Sequence, residues 1–136
     1  MAMEQRPAGI EIDTGPYPGF PTDLQSVFLA AEAAGSGESR FRETVYEARF
    51  EAAMRLAAFG ADVSVQKDTA IIKGRYPLLP GIAETPDLRG GAALLVAGLA
   101  AGGLSVIAGR GHLSPGHEGI GRDLRKLGAD IEECEL

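Results

Sequence analysis

The chain has 136 residues, of which 45% are hydrophobic and 24% are charged, a balance typical of globular rather than disordered proteins. The formal net charge of −6 argues against binding to nucleic-acid phosphates, which requires clustered lysines and arginines. Cys134 is the single cysteine, which excludes an internal disulfide and a metal site made of cysteines and fits a cytoplasmic protein.

No membrane partner is expected either. The longest apolar stretch, residues 92–101, has about half the length that a bilayer requires. The N-terminal residues lack the apolar core of a signal peptide, and the sequence contains no basic amphipathic helix.

The first predicted helix follows three prolines and a glycine. Apolar residues recur at i, i+3, i+4 and i+7 from Leu24, which predicts a helix that two glycines then end. Thr22 and Gln25 fit a capping box at its start. Residues 39–46 alternate as in a strand, and a second helix should run from Phe50 to Gly60.

The next segment, residues 61–74, reads as two β-rich runs around the polar turn Gln66 to Asp68. The second half repeats the plan with a helix over 87–101, a strand over 104–109, a helix ending at Gly128 and a final strand over 130–136.

Two pairs of segments match between the halves: PTDL (21–24) with TPDL (85–88), and RLAAFGADVSV (55–65) with DLRKLGADIEE (123–133). Such self-similarity predicts an α/β (α+β) fold of two tandem β-α-β-α-β-β units. We place a tail at 1–9 and the units at 10–75 and 76–136.

Helix 87–101 is apolar on nearly every side, so it should be buried on all sides. Two small units offer limited cover for such a helix. We therefore expect a homo-oligomer, or a companion chain that supplies further units.

Five segments, in order, resemble the UDP-N-acetylglucosamine 1-carboxyvinyltransferases, a family of enolpyruvyl transferases. They are PYPGFPTDLQ (16–25), ETVYEARF (43–50), RLAAFGADV (55–63), TPDLRGGAALLVAGLAAGG (85–103) and KLGADIE (126–132). The resemblance implies an inside-out α/β barrel fold, no cofactor, and transfer of an enolpyruvyl group from phosphoenolpyruvate to UDP-N-acetylglucosamine for peptidoglycan synthesis. The match corresponds to the last two of the three units in the family's second domain.

Asp23 is the residue to which a catalytic role transfers best. The resemblance implies that it contacts the sugar hydroxyl that attacks phosphoenolpyruvate and acts as general base, which requires a carboxylate within hydrogen-bond reach. A proline-rich approach with fixed φ angles would hold that carboxylate still. Alternatively, Asp23 is a carboxylate that stabilises the first turn of a helix, the interpretation that the residues alone favour.

Three further positions are implied to bind substrate. Val45 matches a position that contacts the nucleotide-sugar largely through its backbone, although an ordinary strand residue would look the same. Asp87 and Arg89 match an Asp-x-Arg pair near the reacting phosphoenolpyruvate, where an arginine fork suits a phosphate or carboxylate. The alternative for this pair is a helix-start aspartate and a solvated arginine.

The sequence also departs from the family. Pro115 stands where an arginine of the family binds phosphoenolpyruvate, and a proline side chain cannot bind an anion. Ala48 replaces a usual asparagine, and Cys134 does not align with the family's catalytic cysteine, which lies in the other domain. His112 and His117 lie in a glycine- and proline-containing loop without helical spacing, so no metal site is predicted.

Two hypotheses remain open. The chain is part of an enolpyruvyl transferase that is not competent alone, or it is a non-catalytic relative that binds a nucleotide-sugar or self-associates as a structural module.

Overall fold

The computed structural model describes residues 8–45, 50–85, 88–109 and 120–132, with the backbone alone at 88, 89 and 120. Strands and helices follow one another in a mixed α/β order. They are β1 (Glu11–Asp13), α1 (Thr22–Ala33), β2 (Glu38–Arg42), α2 (Glu51–Arg55), a 3₁₀ turn (Leu56–Phe59), β3 (Asp62–Gln66), β4 (Thr69–Lys73), β5 (Ile82–Glu84), α3 (Leu88–Ala100), β6 (Val106–Ala108) and α4 (Ile120–Lys126).

The first half builds a four-stranded sheet in the order β1-β2-β4-β3. β1 and β2 are parallel and joined through α1, whereas β4 runs antiparallel to both β2 and β3. The predicted polar turn closes the β3–β4 hairpin, and its residue Lys67 has a left-handed φ of 56°. The predicted second helix is confirmed, although its last turn tightens to a 3₁₀ turn before Gly60, which has a φ of 75°.

The second half begins in the same way, because β5 and β6 are parallel and joined through α3. Within the described residues it continues to α4, but the final strand predicted at 130–136 is wrong for residues 130–132, which are not in a strand. The carbonyl of Ile131 accepts a hydrogen bond from the Arg125 side chain, 3.1 Å away, instead of from a neighbouring strand. The division into repeated units at 10–75 and 76–136 stays a prediction.

The helix α1 is confirmed, but its buried face differs from the apolar pattern that predicted it. Leu24 and Phe28 are 46% and 40% exposed, whereas Leu29, Ala30 and Ala33 are fully buried. Small alanine side chains let a helix approach its neighbour closely, and α1 packs against α3. The buried face of α1 is therefore offset from the predicted apolar face, which leaves Leu24 and Phe28 partly exposed.

Most of α3 is buried within a single copy of the chain. Ala93, Leu94 and Ala97 have no exposed surface, and Leu95 has 9%, because α1, α2, the 3₁₀ turn and β6 surround the helix. Leu99 near its end is 43% exposed. In the described parts of the chain, none of the helices is long and apolar enough to cross a membrane.

Candidate functional site

The loop between β1 and α1 is closed by its own backbone. Gly15 donates a hydrogen bond to the carbonyl of Phe20 at 3.0 Å, and Gly19 donates to the carbonyl of Pro16 at 2.7 Å. The Phe20 ring meets the Phe28 ring of α1 edge to face, with the ring centres 5.2 Å apart. The proline-rich approach to Asp23 is thus fastened both to itself and to the helix that it introduces.

The start of α1 differs from the predicted capping box. Pro21 is the N-cap residue, in an extended conformation and without a side-chain cap, so Thr22 is already the first helical residue. The Thr22 hydroxyl donates to the Glu43 carboxylate at 2.9 and 3.0 Å, and Gln25 is buried at 1% exposure. A threonine inside the helix is not in the N-cap position from which its oxygen could accept from the later amides, and this is why the capping-box prediction was wrong.

Glu43 is a buried carboxylate, 4% exposed, directly after β2. Besides the Thr22 hydroxyl, it accepts a hydrogen bond from the Val45 amide at 3.1 Å. Its own amide donates to the carbonyl of Asp68 at 2.8 Å. The carboxylate therefore joins the start of α1 to the segment that follows β2.

Sequence reasoning missed Glu43, although a signal was present. Ser39, Phe41 and Glu43 occupy alternate positions of a strand pattern, and the structure buries all three. The period of two places Glu43 on the inner face. An acidic side chain at such a position must be hydrogen-bonded or paired, and this requirement points to a specific role.

The segment after β2 leaves the sheet because its amides find side-chain acceptors. The Thr44 amide donates to the Thr14 hydroxyl at 2.9 Å, and the Thr44 hydroxyl donates to the Thr14 carbonyl. With the Val45 amide bonded to Glu43, the strand predicted over 39–46 ends at Arg42 instead.

One predicted site residue, Val45, and the neighbour of another, Thr22 beside Asp23, bond to the Glu43 carboxylate. Asp23 is exposed in the first turn of α1, next to Thr22, and Val45 is 40% exposed and donates its amide to Glu43. Asp87 lies outside the described residues. Arg89 belongs to the first turn of α3, but its side chain lies outside the description.

The departures noted in the sequence also fall outside the described ranges, since Ala48, His112, Pro115, His117 and Cys134 all lie in the gaps between them. Among the residues that the structure does describe, no cluster of three or more His, Cys, Asp or Glu side chains could hold a metal ion.

Two carboxylates have shifted pKa values: Asp68 in the β3–β4 turn and Glu32 on α1. A hydrogen bond from the Thr69 hydroxyl, and a second one from Arg42 at 3.3 Å, hold the pKa of Asp68 below its ordinary value. Asp68 therefore remains charged beside the end of β2. Burial raises the pKa of Glu32, and a hydrogen bond from the Ser39 hydroxyl at 3.1 Å partly opposes this effect.

The family model of EPSP synthase (3-phosphoshikimate 1-carboxyvinyltransferase) matches residues 1–124. The chain belongs to this family. The EPSP synthase family thus accounts for the resemblance seen in the sequence motifs and for the mixed α/β architecture.

Two curated relatives are UDP-N-acetylglucosamine 1-carboxyvinyltransferases. The one from Symbiobacterium thermophilum (designated 3) is 44% identical over 128 residues, covering 94% of this chain and 30% of the relative. The one from Synechocystis sp. is also 44% identical over 128 residues, covering 93% of this chain and 29% of the relative. The chain therefore spans about 30% of the length of these members of the EPSP synthase family.

Solved structures in the EPSP synthase family confirm the fold class. The enolpyruvyl transferase NikO from Streptomyces tendae is 32% identical with a TM-score of 0.84, over 96% of this chain and 30% of that chain. EPSP synthase from Acinetobacter baumannii is 20% identical with a TM-score of 0.65, over 83% of this chain and 27% of that chain, and supports the fold alone.

Proposed function

We propose that the chain forms the acceptor-sugar side of an enolpyruvyl transferase site, and that it binds UDP-N-acetylglucosamine. The complete reaction transfers the enolpyruvyl group of phosphoenolpyruvate to that sugar. The names of relatives 44% identical to this chain support the substrate. A cytoplasmic location, expected from the sequence, is part of the proposal.

One observation supports this proposal most directly: a single buried carboxylate bonds to Val45 and to Thr22, the residue before Asp23. Glu43 bonds to Thr22, the neighbour of Asp23, and to the Val45 amide. An exposed aspartate at this place can accept a proton from a sugar hydroxyl, which is the task of a general base.

The chain's own residues leave the phosphoenolpyruvate side unsupported. Pro115 offers no cationic group where the family resemblance expects an arginine, and Cys134 does not align with the family's catalytic cysteine. We infer that the isolated chain binds the sugar nucleotide but does not catalyse the transfer. A companion chain or a further copy would then supply the missing groups, while Asp87 and Arg89 remain the positions of this chain that the resemblance assigns to phosphoenolpyruvate.

Calorimetric titration with UDP-N-acetylglucosamine, alongside a phosphate-release assay with phosphoenolpyruvate, tests the proposal. We expect binding without phosphate release, and weaker binding by the Asp23→Asn variant, which keeps the side-chain shape. Shikimate 3-phosphate serves as the matched acceptor control and should not bind. The proposal fails if the sugar nucleotide does not bind, or if shikimate 3-phosphate binds instead.

The second candidate is a self-associating structural module. Leu24, Phe28 and Leu99 are each at least 40% exposed, and they lie on the two helices, α1 and α3, that pack against each other. Sedimentation should then show an oligomer. A well-folded monomer at micromolar concentration, together with failure to bind the sugar nucleotide, would leave neither function supported.

A further inference from the structure

We propose that Glu43 is a positioning residue, which fixes Asp23 and Val45 relative to each other so that both contact one nucleotide-sugar. This assignment rests on the proposed function. Glu43 itself is 4% exposed and its carboxylate is directed into the protein, so its effect on a ligand passes through the residues that it holds.

The two residues that Glu43 holds belong to different elements. Thr22 opens α1, and its hydroxyl reaches the carboxylate across 21 residues of sequence at 2.9 Å. The Val45 amide, at 3.1 Å, belongs to the segment beyond β2. One side chain therefore sets the distance between the helix turn that carries Asp23 and the backbone at Val45.

Among the described residues, the Glu43 carboxylate is the group that bonds both to the start of α1 and to the Val45 amide. The sheet ladder of β2 ends at Arg42, so the position of Val45 does not follow from strand pairing. The Thr14–Thr44 bonds anchor Thr44 to the end of β1, but they do not reach α1. The contacts of Glu43 with Thr22 and Val45 supply this link to the helix.

The chemistry of Glu43 suits a positioning role. A carboxylate removed from water is tolerated when its oxygens accept hydrogen bonds, and such charge-assisted bonds are short and directional. A rigid supporting shell keeps binding groups near their productive geometry before the ligand arrives, which lowers the ordering cost of binding.

The Thr22 hydroxyl gives the sharpest test, because it can be removed without touching the carboxylate. Thr22→Val replaces the hydroxyl by a methyl group, and Thr22→Ser keeps it. We expect Thr22→Val to weaken binding of UDP-N-acetylglucosamine about tenfold, the size of one lost hydrogen bond. Thr22→Ser should bind about as well as the unchanged chain.

Glu43→Gln should weaken binding as well, since the amide keeps the shape but loses the charge and one acceptor oxygen. Its matched control is Glu32→Gln. Glu32 is another buried carboxylate, and it accepts a hydrogen bond from the Ser39 hydroxyl. Hydrogen exchange of the Val45 amide should accelerate in Glu43→Gln and not in Glu32→Gln. Melting temperatures show that each variant is folded.

The outcomes separate the two proposals. If the unchanged chain does not bind the sugar nucleotide, the proposed function fails and this assignment falls with it. If the unchanged chain and folded Thr22→Val bind equally well, the positioning role alone is overturned. Should Glu43→Gln fail to fold, the Thr22→Val and Thr22→Ser pair still decides the question.

Discussion

Replacing Leu94 by alanine should cost far more stability than the same replacement at Leu99, although both residues lie on α3. Leu94 has no exposed surface, whereas Leu99 is 43% exposed. The two changes alter intrinsic helix propensity equally, so the comparison isolates packing. It asks how well one copy of the chain covers this apolar helix.

The magnitudes follow from burial. Truncating a fully buried leucine leaves a cavity and costs about 3 kcal/mol of unfolding free energy. That is a large part of the roughly 5–15 kcal/mol that stabilises an ordinary domain, and it should lower the melting temperature by roughly 10 °C. Folding buries only about half of the Leu99 side-chain surface, so its truncation should cost about 1 kcal/mol of unfolding free energy.

Urea unfolding followed by circular dichroism, at two protein concentrations, measures both costs. A Leu99→Ala cost that grows with protein concentration would show that a second copy covers this end of α3, as expected for a homo-oligomer. A Leu94→Ala cost near zero, or equal costs for the two variants at every concentration, would refute the packing described here.

Three further predictions concern single side chains. Asp23→Ala should cost at most about 1 kcal/mol, the size of a helix-start charge, and a much larger loss in thermal unfolding would make Asp23 a structural residue. Gly81→Ala places a methyl group against the Ala58 carbonyl oxygen and should cost about 1–3 kcal/mol of unfolding free energy, measured in urea. Gly15→Ala is the control, because its Cβ would meet open space, and it should cost much less. Equal costs would contradict the close approach of Gly81 to Ala58. Because burial raises the pKa of Glu32, its native form keeps a proton that the unfolded chain has lost, so unfolding free energy should fall as pH rises from about 4.3 through the native pKa. Glu32→Gln should remove this fall in pH-dependent denaturation, and an unchanged difference between the two proteins from pH 4 to 7 would argue against a raised pKa.

Local pattern predicted the order of elements well in the first half. Alternation and turn residues predicted the β3–β4 hairpin, and helical spacing predicted α1 and α3. The final strand failed at residues 130–132, since a strand exists only where a neighbour accepts its hydrogen bonds, and Ile131 bonds to Arg125 instead. The resemblance of the sequence motifs predicted the family without any structural information.

The candidate site was less accessible from sequence. The motif predicted Asp23 and Val45, but it did not point to Glu43, the carboxylate that bonds Thr22 and Val45, because 21 residues separate it from Thr22. The capping box at Thr22 was wrong for a related reason: Pro21 takes the N-cap position and frees the hydroxyl for a distant carboxylate.

By itself, the sequence determined the helices α1 and α3 and the β3–β4 hairpin, because propensity and periodicity act within a few residues of chain. Tertiary structure alone decided which face of α1 is buried, how much of α3 one copy covers, and which atoms meet at Glu43. These outcomes depend on how closely separate elements approach, and that is settled only when distant side chains pack together.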